Sequence, residues 1–197
     1  MAGVQIGLKD LFFSEITETG GVSTFGTPYR IAKAIEAGVT ANVSTVVLYA
    51  DDGASETASS EGESEISLGI DQLTNEIYAK LLGKTVSTEG VVVDTSADIA
   101  PKGALMFRSL KSNGEYRYIV YYKGSFAPPE ETFNTKGESI EFNTPTIVGT
   151  FVHSDTVLNA KGEGIKRSVV DSDDTVLTDP TIVENWFTDV FVPTFTP

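Results

Sequence analysis

"ALMFRSLKSNGEYRYIVYYKGSF", residues 104–126, decides the fold class. Asn113-Gly114 is the favoured pair for a two-residue type I′ turn, and arms rich in Leu, Ile, Val, Phe and Tyr flank it. The turn predicts a hairpin in which Lys111 faces Tyr116, Ser109 faces Tyr118, Phe107 faces Val120 and Leu105 faces Tyr122. The opposite face then joins Leu110, Arg108 and Met106 to Arg117, Ile119 and Tyr121. Neither face is polar, so both are expected to be covered, one by the core and the other by a neighbour or a helix.

Outward from this hairpin the chain reads mostly as strand. "GLKDLFFSEIT", residues 7–17, suits a first strand, and "ETGGVSTFGTPYR", residues 18–30, has the Gly, Pro, Ser and Thr density of a loop. Residues 29–50 admit a short helix ending at Gly38 or one long bent strand. The β-rich "VSTVVLYA" at their end favours the strand. Residues 139–154 and 164–172 add two more. Residues 71–82 predict a helix that packs through Leu73, Ile77 and Leu81, capped by Asp71 or Thr74 and closed by Gly83. A short second helix is expected over 180–188, where Asp179 and Pro180 start it and Val183, Trp186 and Phe187 anchor it. The proline-broken tail reads as an extended arm. The fold class is mainly β, with one flanking helix.

At 197 residues, 40% of them hydrophobic, the chain has material for one domain with a real core. A net charge of −14 argues against groove binding to DNA or binding to anionic lipid, which draw their affinity from Lys and Arg clusters. The absence of cysteine removes disulfides, thiol catalysis and thiolate metal sites. Neither a signal peptide nor an apolar run long enough to cross a bilayer is visible, so no membrane partner is expected.

Charge is also segregated. Residues 34–79 contain nine acids and no Lys or Arg, whereas residues 102–123 hold five basic residues against the single acid Glu115. Separated patches suit head-to-tail contacts between identical copies, which generate rings and filaments.

Residues 50–65, "ADDGASETASSEGESE", carry the carboxylates of Asp51, Asp52, Glu56, Glu61, Glu63 and Glu65 with no cation and no large side chain. Composition reads them as a long acidic loop. Catalysis finds little support. His153, the only histidine, lies outside any nucleophile-elbow motif. "DDGASE" and "DSDDT" lack the ligand spacing of a calcium loop. Plentiful acids do not make a glycosidase pair without a cleft to separate their pKa values. The tyrosines of "EYRYIVYY" read as core or interface filler. No catalytic residue, metal or cofactor is assigned.

Taken together and in order, "YADDG…E…GE", the helix ending in "LLG", "KSNGEYRY", "FNTPTIVGTF" and "ENWF" resemble the major tail protein family of long, non-contractile-tailed bacteriophages. The similarity runs from about Gly7 to Phe191. It implies a β-sandwich or partly closed barrel as a single tube domain with N- and C-terminal arms. It implies a structural, non-enzymatic virion protein, assembled in the host cytoplasm, whose hexameric rings stack into a tube. It further implies a tape-measure protein in the lumen, tail-tip initiator and terminator proteins at the ends, and DNA passing through without specific binding. On this reading the acidic loop reaches the adjacent ring, with Lys102, Lys111 and Lys123 as candidate counterparts. The rival reading is a monomeric β-sandwich module that binds carbohydrate or calcium at a surface; a hydrolase ranks behind it.

Overall fold

A computed structural model of the chain describes residues 3–50, 53–130, 135 and 144–195. In chain order the elements are β1 (Gln5–Thr19), β2 (Val22–Phe25), β3 (Tyr29–Ala32), β4 (Ala34–Ala50), β5 (Gly53–Ile70), α1 (Asn75–Leu82), β6 (Thr85–Val86), β7 (Val92–Val93), β8 (Gly103–Lys111), β9 (Tyr116–Phe126), β10 (Thr146–Val152), β11 (Arg167–Asp171) and α2 (Thr181–Glu184). The fold is mainly β, as expected. An antiparallel sheet runs β2-β1-β8-β9-β10-β5-β4, with β3 also on β1 and β11 also on β9, and β6 and β7 form a separate small pair.

Two apolar clusters lie on opposite faces of β8 and β9. The first joins Leu11 and Phe13 of β1, Leu105 and Phe107 of β8 and Tyr121 of β9 to Ile66, Leu68 and Ile70 of β5 and Phe151 of β10. The period-two alternation of Ile66, Leu68 and Ile70 sends one face of β5 inward. The second cluster places Ala104, Met106, Tyr118, Val120 and Tyr122 against Trp186, Ile182, Val183, Phe187 and Phe191. Both hairpin faces are therefore covered, and the chain's own C-terminal segment covers the second.

The hairpin register differs from the expected one. Leu105 pairs with Tyr121, Phe107 with Ile119, Arg108 with Tyr118 and Ser109 with Arg117, one residue away from the two-residue-turn prediction. The closing pair is Lys111 and Glu115, whose N–H and C=O meet at 2.8 Å, so three residues make the turn. Gly114 sits at φ +87°, the left-handed position of a type I turn with a G1 bulge. Because both faces are apolar, the hydrophobic pattern could not choose between the registers.

Residues 18–30, expected as a loop, instead turn at Gly20-Gly21 and return as β2 and β3 along β1. Asp10 stands at φ +58° where β1 bulges against β8. The bulge re-aims its carboxylate to accept from Arg108 Nε at 2.7 Å and to pair with Arg30 at 3.3 Å. The strand expected over 139–154 is β10 from Thr146 onward; residues 139–143 lie outside the described residues.

Helix α1 begins four residues later than predicted. Thr74 is its N-cap, while Asp71 accepts the N–H of Lys33 at 3.0 Å and of Gln72 at 2.8 Å, fastening the β3–β4 junction. Leu81 and Leu82 are buried, and Leu73, Ile77 and Tyr78 pack beside them on the first cluster. Gly83 closes the helix at φ +66°, and Lys84 N–H reaches back to the Ala79 carbonyl at 2.9 Å. A Cβ on Gly83 would lie 2.0 Å from the Ile99 carbonyl oxygen. Gly83→Ala is therefore expected to cost about 2 kcal/mol, from left-handed strain plus displacement of the Ile99 backbone. Urea unfolding of the variant checks it; an unchanged midpoint would refute the clash.

Helix α2 is shorter than the predicted 180–188. Asp179 Oδ1 accepts the Thr181 N–H at 3.0 Å, Pro180 is the N-cap, and the helix ends where Asn185 leaves helical geometry at φ −95°, ψ 5°. Trp186 follows the helix, fully buried, with its ring 5.8 Å from Phe191 and 5.7 Å from Tyr118.

Candidate assembly interface

Of the acidic stretch expected as a loop, the residues from Gly53 onward are strand. β5 pairs with β4 rung by rung from Ile70 and Ala34 to Gly53 and Ala50, and the two form one long hairpin. Composition concealed this, because Ser, Ala, Thr and Gly supply no apolar signal. Glu61, Glu63 and Glu65 do alternate with period two, and that was the available clue.

Inside the body β5 also pairs with β10, and the last shared rung is Ser64 opposite Phe151. Beyond it β5 has only β4. The ladder slips by one between Ala41 and Val43, and the hairpin continues as a free ribbon. From Val43 to Ala50 the ribbon is eight residues long, roughly 25 Å at strand rise. Every residue from 41 to 49 is exposed.

The ribbon's two strands differ in chemistry. β4 carries Val43, Val46, Leu48 and Tyr49, which are 59–71% exposed, and alternation puts Val46 and Leu48 on one face and Val47 and Tyr49 on the other. β5 answers with small or acidic partners: Glu56 opposite Leu48, Ala58 opposite Val46, Glu61 opposite Val43. A two-stranded ribbon is marginal alone, and a long apolar edge without Lys or Pro is a template for pairing. Apolar exposure on this scale marks an interaction surface.

The other predicted residues scatter. Asp51 and Asp52 lie outside the described residues. Glu63 accepts from Asn42 Nδ2 at 2.9 Å, and Glu65 stands exposed between Thr40 and Thr150. Among the expected counterparts, Lys102 is exposed just before β8. Lys111 and Lys123 require correction, because both are buried in ion pairs of their own chain. Lys111 Nζ donates to Asp171 at 3.3 Å and to Asp173, while Lys123 reaches Asp155 at 2.6 Å and Glu18 at 2.8 Å. A buried ammonium bound to two carboxylates has no surface to offer another copy.

Those pairs also fix the charge state. Arg117 holds Asp171 through two bonds of 2.6 and 2.8 Å and keeps its carboxyl below the ordinary range; Lys111 does the same for Asp173 and Lys123 for Asp155. Lys111 and Lys123 are raised in return by the same hydrogen bonds. A depressed carboxylate stabilises the fold above its unfolded pKa, about 3.9, and that stabilisation is lost as pH falls through the folded value. A raised lysine stabilises below its unfolded pKa, about 10.4, and that is lost as pH rises through the folded value. Thermal midpoints are thus expected to be flat between about pH 5 and 10 and to fall on either side. A midpoint that keeps rising below pH 4 in a thermal melt would contradict these pairs.

The remaining chemical candidates dissolve into structure. Tyr118, Tyr121 and Tyr122 are buried, and Asp171 and Asp173 of "DSDDT" are ion-paired. His153 is exposed just past β10. Among the described residues no group of three His, Cys, Asp or Glu is placed to hold a metal, and no helix is long and apolar enough to cross a membrane. Sequence reasoning passed over Lys166, buried at the foot of the ribbon, whose ammonium donates to the Glu61 carboxylate and, at 3.0 Å, to the Gly62 carbonyl. The hydrogen bond from Lys166 holds Glu61 below the usual carboxylate range.

The family model described as phage tail tube protein matches residues 1–186. No curated protein matches the chain.

Proposed function

Because this chain belongs to the phage tail tube protein family, we propose that it is the repeating subunit of a tail tube whose β4–β5 ribbon joins successive rings. The coarse role is structural: self-association into a tube within the virion tail. In the finer reading six copies close a ring by continuing one another's sheets, and rings stack around a tape-measure protein between a tail-tip initiator and a terminator. After that protein leaves, the bore conducts DNA. A net charge of −14 per copy suits a wall that must not hold phosphate.

The observation that carries this reading is the ribbon itself. A projection of roughly 25 Å with Val43, Val46, Leu48 and Tyr49 in water is a poor solution for a monomer and a good one for a subunit whose neighbour buries those side chains. Negative-stain microscopy of the purified chain across concentration and salt tests it. Hollow tubes or six-fold rings are the expected result. A chain that stays monomeric even with tape-measure and tail-tip proteins would overturn it, and glycan binding or calcium-dependent thermal stabilisation of that monomer would put the binding-module reading in its place.

A further inference from the structure

We propose that Lys166 is a clamp that fixes the direction of the β4–β5 ribbon in the free subunit, so that the ribbon is presented to its neighbour already aimed. The consequence for assembly rests on the tube reading; the clamp itself does not.

Four observations converge on the ribbon's foot. First, β5 loses β10 at Ser64, so the strand's lateral support ends there. Second, the β4–β5 ladder slips between Ala41 and Val43, and a bulge bends a strand and increases its twist. A two-stranded ribbon interrupted by a bulge at the point where it leaves the body has the anatomy of a hinge. Third, burial along β5 changes abruptly at the same place: Ser64, Ile66, Leu68 and Ile70 are buried on the body side, and residues 55–61 are exposed on the other.

The fourth observation is the cation. Lys166 is 7% exposed, and its ammonium crosses to two adjacent groups on the ribbon side of the last β10 rung, the Glu61 carboxylate and the Gly62 carbonyl. Its own backbone is fixed to the body, because its carbonyl accepts the N–H of the fully buried Tyr122 at 3.1 Å. One end of the lysine is therefore anchored in the second apolar cluster and the other grips the ribbon just past its hinge. Asn42, within the slip, braces the opposite strand by donating to Glu63 at 2.9 Å.

A point charge on a flexible stem that binds a carboxylate and a neighbouring carbonyl defines a direction, as a single contact does not. Holding a ribbon in its bound orientation before contact removes the ordering cost that association would otherwise carry. Lys166 is a positioning residue: it touches no partner and acts through the angle of the ribbon.

The chain contains no cysteine, so labels can be placed without removing any. Spin labels on Thr57→Cys in the ribbon and Asp189→Cys in the body, both exposed positions, report the ribbon's direction as a distance distribution in the unassembled chain. With Lys166 a single narrow distribution is expected. Lys166→Met should broaden it at least two-fold, Glu61→Gln should broaden it less because the Gly62 contact survives, and Lys166→Arg should restore most of the narrowness. Thermal midpoints separate a clamp from a general stabiliser: broadening with a midpoint near that of the unsubstituted chain supports the clamp. An unchanged width in folded Lys166→Met, or in folded Glu61→Gln should the former not fold, overturns it. In tube assembly Lys166→Met should lengthen the lag about three-fold or more. If the unsubstituted chain forms no tubes even with tape-measure and tail-tip proteins, the tube reading fails while the distance result still decides the clamp.

Discussion

Replacing residues 45–59 with an Asn-Gly turn is expected to leave a folded chain that no longer forms tubes. Ser44 and Ser60 face each other across the ladder, so a two-residue turn can join them without disturbing the rungs below. The excision removes no buried side chain among the described residues, and the clamp contacts at Glu61 and Gly62 remain. The thermal midpoint should stay within a few degrees, since only exposed groups are lost. Assembly should fail outright, because Val46, Leu48 and Tyr49 supply the exposed apolar area through which rings would meet. Sedimentation and microscopy at concentrations where the intact chain polymerises give the answer. Normal tubes from the shortened chain would remove the ribbon from the mechanism.

Trp186→Ala is expected to be the most damaging single substitution to the fold. Trp186 is fully buried among Tyr118, Phe191 and the β8–β9 face, and among the described residues it is the one fully buried side chain of a segment whose other apolar residues, Ile182, Val183, Phe187 and Phe191, are only partly buried. Truncating a buried tryptophan costs about 3–5 kcal/mol, from lost transfer energy and the cavity left behind. Against the 5–15 kcal/mol that holds a typical domain, this lowers the thermal midpoint by on the order of 10 °C. Denaturant unfolding measures the loss, and limited proteolysis should show residues 178–195 released before the rest. A loss below about 1 kcal/mol would mean that the second cluster does not depend on this ring.

What the sequence disclosed was what local chemistry dictates. α1 announced itself because Ile77 and Leu81 recur at helical spacing between Thr74 and Gly83, all within ten residues of one another. The β8–β9 hairpin was legible in existence but not in register, because a glycine after asparagine serves a two-residue turn and a bulged three-residue turn alike. The outer part of β5, Gly53 to Glu63, escaped because its strand character is conferred by pairing with β4 and not by apolar side chains of its own. At the candidate interface the carboxylates were visible from composition; their partners were not. Lys166 and Glu61 are separated by 105 positions, Lys111 and Asp171 by 60, and no local pattern joins them. Lys111 and Lys123 read as charges available to another copy, and Lys166 was passed over, until the fold placed an acid beside each.

The second apolar cluster has a consequence in time. The β8 and β9 side chains of this cluster are in place once β9 has been made, but Val157 follows later and Trp186 lies sixty residues beyond Phe126. At bacterial elongation rates that interval lasts on the order of 3–12 s. For those seconds Met106, Tyr118, Val120 and Tyr122 present a bare face on a nascent chain still tethered to its ribosome, often beside siblings read from the same message. Only the C-terminal segment removes this face from the reach of those neighbours, so the last part of the chain to be made is also what ends its exposure to its siblings.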